Sequence, residues 1–596
     1  MDKILKSGTG NKIPLAVIID GLLEDGIISK DSAQLSYRLI SDTMVRNLGA
    51  IGALGSKAWP HAKDSLQRLD TEFISCWCAN KYKLTFHTIN PITLDADLVS
   101  SSLSLHQAQS FSAIIIEENT QSVKVATSEP FDTSLDQEIE SIFPNKIIQK
   151  LFVNSDDLRS HIRNIYEFQE SIHVASGMNT SHATFDIQNF EQLTKIGDKN
   201  FSDEDQAIIS LVDWLLHHAI SLKASDIHLE PHRKTCTIRF RIDGILNKIH
   251  VLPANVAIPI ISRIKIIARM DVAERRRPQD GRIKILTQKN QEVEFRASSM
   301  PTAFGEKIVL RIFDPEVLHL GLNHLGLSAK DFAMWEKLIH TENGIVLVTG
   351  PTGSGKTTML YTTLKSIATS EVNVSTIEDP IELIDDDFNQ MQVNPKINVD
   401  FASGIKTLLR QDPDIIMVGE IRDREAAEIA AQASLTGHLV LSTLHTNDSV
   451  TAITRLRDLQ LPNYVITNTL RGVLAMRLVR LLCVQCKKPS DETLPQEVWD
   501  SFIHPFKMTK PDRVYQPVGC KFCRNQGFSG RAGIFELLVI DKEIKALISQ
   551  NANSDAISHH AKTKGLVPLR IAGAKRVFAG ETTFEEVASS TPELLS

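Results

Sequence analysis

The stretch Gly344-Ile-Val-Leu-Val-Thr-Gly-Pro-Thr-Gly-Ser-Gly-Lys-Thr-Thr, ending at Thr358, constrains this chain more than any other part of it. An apolar run, Ile345 to Val348, stops at a turn, and the turn opens into the helix-compatible segment Thr357 to Ser366. The order is strand, loop, helix. Gly350, Gly355, Lys356 and Thr357 stand at the fixed places of Gly-x4-Gly-Lys-[Ser/Thr]. With small residues at Gly350, Gly353, Ser354 and Gly355, backbone N–H groups can turn inward and form a nest for an anion, reinforced by the helix N-terminus. Pro351, Thr352 and Thr358 complete the wall of that nest. Lys356 supplies a cation for the outer phosphates of a nucleotide, and the Thr357 hydroxyl is a ligand for Mg²⁺. Such a loop also arises by chance, but a β-run before it and a helix after it point to nucleotide binding.

A chain of 596 residues is too long for one core and is expected to be modular. A net charge of −7 argues against a general nucleic-acid-binding surface. No apolar run approaches the length of a membrane span, and Met-Asp-Lys-Ile-Leu-Lys-Ser lacks the apolar centre of a signal peptide, so a cytoplasmic location is expected. In a reducing compartment the two Cys-x-x-Cys pairs, Cys483 with Cys486 and Cys520 with Cys523, favour a metal over disulfides. Four thiolates close a tetrahedral Zn²⁺ shell with no open position, so the site would be structural; free thiols or a redox pair remain the alternative. The excursion between the pairs is rich in polar residues and proline (Pro489, Ser490, Asp491, Pro495, Pro511), which suggests little apolar surface and a need for the metal in folding. Cys76, Cys78 and Cys236 sit in apolar or strand-like surroundings and read as packing residues.

Taken in order, residues 1–165 form a small α/β module with a docking or regulatory character. Within it Asp20 to Leu35 reads as helix, turn, helix with Gly26 at the turn and Ser29 as cap; Ala113 to Glu117 and Val123 to Ala126 are short strands, and Asp157 to Tyr166 is helical. Residues 166–200 are polar and read as a linker. A second module, 201–320, opens with the stripe Ile208, Leu211, Val212, Leu215, Leu216 and Ala219. The alternation that follows puts Ile238, Phe240 and Ile242 on one strand face and Arg239 and Arg241 on the other, with a turn at Asp243-Gly244. Basic residues recur at Arg263, Lys265, Arg269, Arg275, Arg276, Arg277 and Arg282. Because no comparably arginine-rich strand stands out in the nucleotide domain, Arg239 and Arg241, with Arg276 or Arg282, are candidates to neutralise phosphate; a solvated edge is the plainer reading.

From Ile345, strands alternate with helices: Val372 to Ile377, Ile415 to Val418 and Leu439 to Thr443 predict a largely parallel sheet covered on both faces. This core spans 321–475, followed by the tetracysteine segment 476–535 and a helical region 536–596 with a break from Gly565 to Pro568. Acids fall just past strand ends, where ligands bind in such sheets: Glu378, Asp379 and Glu382 after one, Glu420 after another. His438 and His445 flank a third, which favours a phosphate-sensing histidine.

These residues resemble the secretion ATPases of type II secretion and type IV pilus assembly. The likeness rests on Ala224-Ser-Asp-Ile-His-Leu-Glu-Pro, Arg239-Phe-Arg-Ile-Asp-Gly, Arg277-Pro-Gln-Asp-Gly-Arg, the phosphate loop, Glu378-Asp-Pro-Ile-Glu, the segment from Arg410 to Asp423, Thr436-Gly-His through His445-Thr-Asn, and the paired cysteines. The resemblance implies an α/β protein: a RecA-like P-loop ATPase core preceded by a PAS-like α/β domain and an N-terminal docking domain, with a zinc-binding insertion. It further implies a homo-hexamer with ATP between subunits, working at the inner membrane through platform and docking partners. By motif, Glu382 resembles the family's catalytic acid, Glu420 the second-motif acid, His445 the phosphate-sensing histidine, and Arg239 and Arg241 phosphate contacts from the preceding domain. The paired cysteines mark the assembly or secretion branch rather than the retraction motors. Leu15-Ala-Val-Ile-Ile-Asp-Gly lacks the Arg-Leu-Gly start with which some relatives bind cyclic di-GMP, so that ligand is not implied. Ala452 to Asp458 and Gly472 to Arg480 lean slightly toward type II secretion. Two rivals are a nucleic-acid motor of a conjugation or DNA-uptake system, disfavoured by the acidity and the lack of aromatic-studded basic stretches, and a nucleotide-gated scaffold without turnover, disfavoured by Lys356, Glu382 and Glu420.

Overall fold

A helical hairpin starts the described chain, and its turn chemistry explains it. Helix α1 (Leu15–Glu24) ends before Gly26, which adopts φ +67°, and Ser29 accepts a hydrogen bond from Ser32 N at 3.1 Å to cap α2 (Lys30–Leu39). The computed structural model describes residues 12–63, 67–90, 94–176, 203–287, 292–313, 321–490 and 494–593. The chain divides into two units, Met1–Ile312 and Phe313–Ser596.

In the first unit, α3 (Asp42–Gly55) and α4 (Thr71–Tyr82) join the hairpin around Ile18, Ile19, Leu54 and Ile74. Beside them stand β1 (Ala113–Glu118), β2 (Ser122–Thr127) and β3 (Ile147–Phe152), antiparallel for the first pair and parallel for the second. Helix α5 (Ser155–Ser176) corrects the sequence reading. Residues 166–176, expected to be linker, continue the helix, because the apolar stripe persists: Phe168, Ile172 and Ala175 are buried in the second module's core with Leu211 and Leu215. The rest of the expected linker lies outside the described residues.

That second module sets α6 (Asp203–Ser221) and α7 (Ala254–Ile267) against a six-stranded sheet. Its strands are β4 (Ala224–Pro231), β5 (Thr235–Ile242), β6 (Ile245–Pro253), β7 (Gln279–Leu286), β8 (Glu292–Thr302) and β9 (Gly305–Phe313), ordered β6-β5-β4-β9-β8-β7. The anticipated alternation is present: Ile238, Phe240 and Ile242 are buried toward the helices. Asp243 (φ +47°) and Gly244 (φ +89°) make the tight turn into β6.

The second unit is built on a seven-stranded sheet: β10 (Gly344–Thr349), β11 (Val374–Glu378), β12 (Asn389–Gln392), β13 (Ile415–Val418), β14 (Leu439–Leu444), β15 (Leu470–Leu482) and β16 (Phe528–Val539). Their order is β12-β11-β13-β14-β10-β15-β16, parallel throughout except for the last pair. Every residue of β10 is buried, as both faces are covered. Ile345 and Leu347 join the core under α10 (Phe401–Leu408) and α11 (Arg424–Leu435), while Val346 and Val348 pack with α8 (Ala329–Ile339) and α9 (Lys356–Ile367).

The cysteine excursion departs from expectation. It contains α12 (Gln496–Ile503), whose Trp499, Phe502 and Ile503 are buried against Val479 of β15, Ile534 of β16 and Ile571. Three large apolar residues spaced on one helix face give the segment a core contact of its own, despite its prolines. Helices α13 (Lys542–Ser549), α14 (Ser554–Thr563), α15 (Leu569–Phe578) and α16 (Phe584–Ser590) follow, with Gly565 at φ +94° and Pro568 at the break. Among the described residues no helix is long and apolar enough to cross a membrane.

Candidate functional site

Strand β10 delivers its last residue, Thr349, to the carboxyl end of the sheet, and the chain then turns through Gly350 (φ +155°), Gly353 (φ +79°) and Gly355 (φ +93°). At Gly350 a Cβ would meet Met476 O and Ser354 Oγ at 2.6 Å each, so no larger residue fits. Helix α9 starts immediately at Lys356 with no side-chain cap on its first turn. Ser354 Oγ is buried and makes no hydrogen bond, an orphaned polar atom within the nest. Backbone amides of a glycine-lined turn, a helix N-terminus and an orphaned hydroxyl together fit a phosphate group.

Lys356 Nζ reaches Gly350 O at 2.8 Å and Pro351 O at 3.1 Å. Burial pushes its pKa down to about 8; Glu420 pulls it back up and Arg477 presses it further down. A bound polyphosphate would stabilise the charged ammonium. Thr357 is exposed and Glu420 half-buried, so the hydroxyl and the carboxylate suit the oxygen-ligand chemistry of Mg²⁺.

Glu420 follows β13 and His445 follows β14, and the parallel register sets the two beside one another: His445 Nε2 lies 3.6 Å from Glu420 Oε2. Arg422 pairs with the other oxygen of Glu420 and, at 3.2 Å, with Asp379 beyond β11. Burial, followed by Lys356, lowers the His445 pKa, with Glu420 opposing. Lys356, Glu420 and His445 are therefore brought together electrostatically at one end of the sheet. Glu382 lies half-buried in the loop after β11, its backbone N–H 3.5 Å from Glu378 Oε2.

Two expectations about nearby residues are corrected. His438 sits at the amino end of β14, its Nδ1 2.9 Å from Ala433 O, and a strand of this length carries it roughly 15–20 Å from the phosphate end. Glu378 is the buried last residue of β11, bonded to Tyr361 Oη at 2.7 Å and Thr376 Oγ1 at 2.8 Å, which makes it a packing carboxylate.

Sequence reasoning also missed an arginine-bearing strand inside the nucleotide domain. Strand β15 carries Arg471, Arg477 and Arg480, hidden among the apolar residues of a long run. Arg477 is buried, donates to Asn447 O at 2.8 Å and Met476 O at 3.0 Å, and its Nη1 comes within 3.2 Å of a Cβ built on Gly350. The signal was the adjacency of β15 to β10, which only the parallel pairing reveals.

Arg239 and Arg241, in the first unit, line the polar face of the second module's sheet. Arg239 Nη2 pairs with Glu230 at 2.7 Å; Arg241 Nε lies 3.4 Å from Asp226. Burial alone would raise the Glu230 carboxyl, but hydrogen bonds from Arg239 and Lys307 hold it down to about 2. Arg282 pairs with Glu294 at 3.3 Å, and Arg276 is almost fully exposed beside Glu274.

The four cysteines converge: their Sγ atoms lie within 4.8 Å of one another. Three of the separations, Cys483–Cys520, Cys486–Cys523 and Cys520–Cys523, are 3.7 Å. A tetrahedron with Zn–S bonds of about 2.3 Å has edges of about 3.8 Å. Backbone N–H groups of Gly519, Cys520 and Gly527 donate to Cys486 and Cys523 sulfurs at 3.1–3.3 Å, as thiolates require. The donor set fits zinc.

A family model described as type II/IV secretion system protein matches residues 202–589, and one described as MshEN domain matches residues 82–172. The chain is 42% identical over 578 residues to the type IV pilus assembly ATPase TfpB of Acinetobacter baylyi, covering 96% of this chain and 98% of that one. It is 44% identical to type II secretion system protein E of Pseudomonas aeruginosa, over 68% of this chain and 79% of the relative. With the type IV pilus assembly ATPase PilB of Myxococcus xanthus it shares 42% identity over 68% of this chain and 70% of the relative. With a phosphate loop, an acid and a histidine at the carboxyl ends of neighbouring strands, and relatives of this extent, the chain belongs to the type II/IV secretion system protein family.

Proposed function

We propose that this protein is a Mg²⁺-dependent ATPase whose turnover powers assembly of a pilus or pseudopilus, with type IV pilus assembly the favoured system. The observation that carries the reaction is the joint placement of Lys356, Glu420 and His445 beside the glycine-lined nest. The observation that favours the pilus is the likeness to TfpB across nearly the whole chain, where the type II secretion relative matches about two thirds. It outweighs the slight lean of Ala452 to Asp458 and Gly472 to Arg480 toward type II secretion.

In this reading the loop from Gly350 to Thr358 binds the phosphates through its amides, and Lys356 neutralises the outer ones. Thr357 and Glu420 would hold Mg²⁺, which supplies charge neutralisation on the phosphates when bound. Glu382 orients or deprotonates the attacking water. His445, beside Glu420, reports the state of the terminal phosphate. Arg239 and Arg241 contact phosphate from a neighbouring subunit of a hexamer, exchanging their intramolecular acids for the nucleotide. Cys483, Cys486, Cys520 and Cys523 would hold a structural Zn²⁺. The N-terminal α/β module docks the ring on inner-membrane platform partners, and no direct nucleic-acid contact is part of this reading.

The test is Glu382→Gln in the full chain. ATP affinity should be retained while phosphate release falls by roughly 100-fold or more. Wild-type turnover in that variant would remove Glu382 from the mechanism. Deleting the gene and scoring surface pili against secreted proteins separates the two systems; intact pili with lost secretion would overturn the pilus assignment.

A further inference from the structure

The glycine-punctuated segment Gly527-Phe-Ser-Gly-Arg-Ala-Gly-Ile-Phe-Glu folds into β16 and delivers Glu536 to the interior, opposite Ala475 of β15. There it is almost completely buried. One carboxylate oxygen accepts from Ser449 N at 2.8 Å and Ser449 Oγ at 2.5 Å; the other accepts from Leu569 N at 3.2 Å. Ser449 closes the loop that begins at His445, and Leu569 is the first residue of α15.

That loop is held almost residue by residue. Thr446 N donates to Thr349 Oγ1 at 2.9 Å, so the residue after the histidine is tied to the residue before Gly350. Asn447 O accepts from Arg477 at 2.8 Å, and Asp448 Oδ1 accepts from Thr451 N at 2.7 Å. Ser449 then meets Glu536. A buried carboxylate is an expensive way to cap a helix, for which serine or asparagine suffices. Its value here is its two oxygens, which serve two elements at once.

We infer that Glu536 is a positioning residue for ATP hydrolysis: it ties the end of the loop carrying His445 to the first turn of α15, so that one carboxylate couples the histidine's loop to that helix. This rests on the site being an ATP-hydrolysing one. Glutamine at this position keeps the volume, but its amide nitrogen must face one of two backbone donors, Ser449 N–H or Leu569 N–H, so one of those two hydrogen bonds is lost even where the Ser449 hydroxyl turns to accept.

In the full chain, Glu536→Gln should lower kcat by roughly tenfold or more while the KM for ATP changes less than about threefold. A merely structural defect would move both together. Ser449→Ala removes the Oγ bond and leaves the Ser449 N–H bond in place, so it should lower kcat less than Glu536→Gln does, and the two effects should be less than additive because both act on the same carboxylate. Hydrogen–deuterium exchange gives an independent readout: a non-hydrolysable ATP analogue should protect the peptide containing Leu569 in wild type and leave it unchanged in Glu536→Gln. A folded Glu536→Gln chain with wild-type kcat, independent effects of the two substitutions, or no response at Leu569 in wild type would overturn the inference. Should Glu536→Gln not fold, the exchange measurement on wild type decides: protection of the Leu569 peptide by the analogue supports it, and no response there defeats it. Protection of the phosphate-loop peptide by the analogue, without any wild-type hydrolysis, would instead count against the proposed function.

Discussion

Glu420 and His445 leave different strands, yet their side chains stand 3.6 Å apart because β13 and β14 are parallel neighbours with Val418 beside Ser442. Parallel pairing sends both strands' carboxyl ends to one edge of the sheet, the edge at which ligands bind in open α/β folds. The pair lies within the electrostatic reach of Lys356.

Removing the charge of that acid while keeping its shape should therefore be costly for chemistry and mild for folding. Glu420→Gln is expected to lower ATP turnover by roughly 100-fold or more, as loss of several kcal/mol of charge stabilisation would do. A nucleotide titration run alongside phosphate release distinguishes lost catalysis from lost binding. A rate within threefold of wild type would place Glu420 outside the reaction.

Zinc should be present and structural. Cys483→Ser with Cys520→Ser should release one metal per chain and open residues 487–519 to protease, because two ligands cannot close the shell. Nucleotide affinity should persist. Elemental analysis of wild type, purified without chelator, reads the claim directly, and well under one zinc per chain would refute it.

The excursion is also anchored without metal. Trp499 is fully buried and donates its Nε1–H to Met508 O at 3.0 Å. Trp499→Ala should cost about 3–5 kcal/mol, a typical loss for emptying a large aromatic site. Urea unfolding of the zinc-loaded protein measures it; a loss below about 1 kcal/mol would show that the metal alone holds the segment.

Glu129 makes a pH-dependent prediction. Burial pushes its carboxyl from 4.5 up to about 7, only partly opposed by the Ile13 N–H and Lys12. An acid whose folded pKa is raised binds its proton more tightly when folded, so stability is highest below 4.5 and falls as pH climbs from 4.5 to about 7. Above that window the penalty is on the order of 3 kcal/mol. Glu129→Gln retains an acceptor for Ile13 N, 3.1 Å away, and should raise the melting temperature at pH 8 with little gain at pH 4.5. An equal gain at both pH values would assign the effect to something other than ionisation.

Local pattern carried the phosphate loop, the hairpin cap at Ser29, the alternation at Ile238 to Ile242 and the cysteine pairs, since each is a short-range spacing. What it could not carry was register. His438 and His445 look alike as flanks of one strand, but the strand's direction sends them to opposite ends of the sheet. Arg477 reads as one polar residue in an apolar run, and its place beside Gly350 depends on β15 pairing with β10. Glu378 and Glu382 differ by four positions, yet one is packed under Tyr361 and the other is half-buried in the following loop. Composition also misled at α12, where prolines at the edges of the excursion masked three apolar residues on one helical face.

The most direct test of the account is phosphate release from ATP by the purified full chain with Mg²⁺, beside the same measurement on Lys356→Ala. Lys356 faces the nest with its pKa pushed down to about 8, so the account predicts measurable wild-type turnover and a loss of roughly 100-fold or more on removing the ammonium. Wild-type protein that binds ATP but releases no phosphate in its assembled state, or a Lys356→Ala chain that hydrolyses at the wild-type rate, would contradict it.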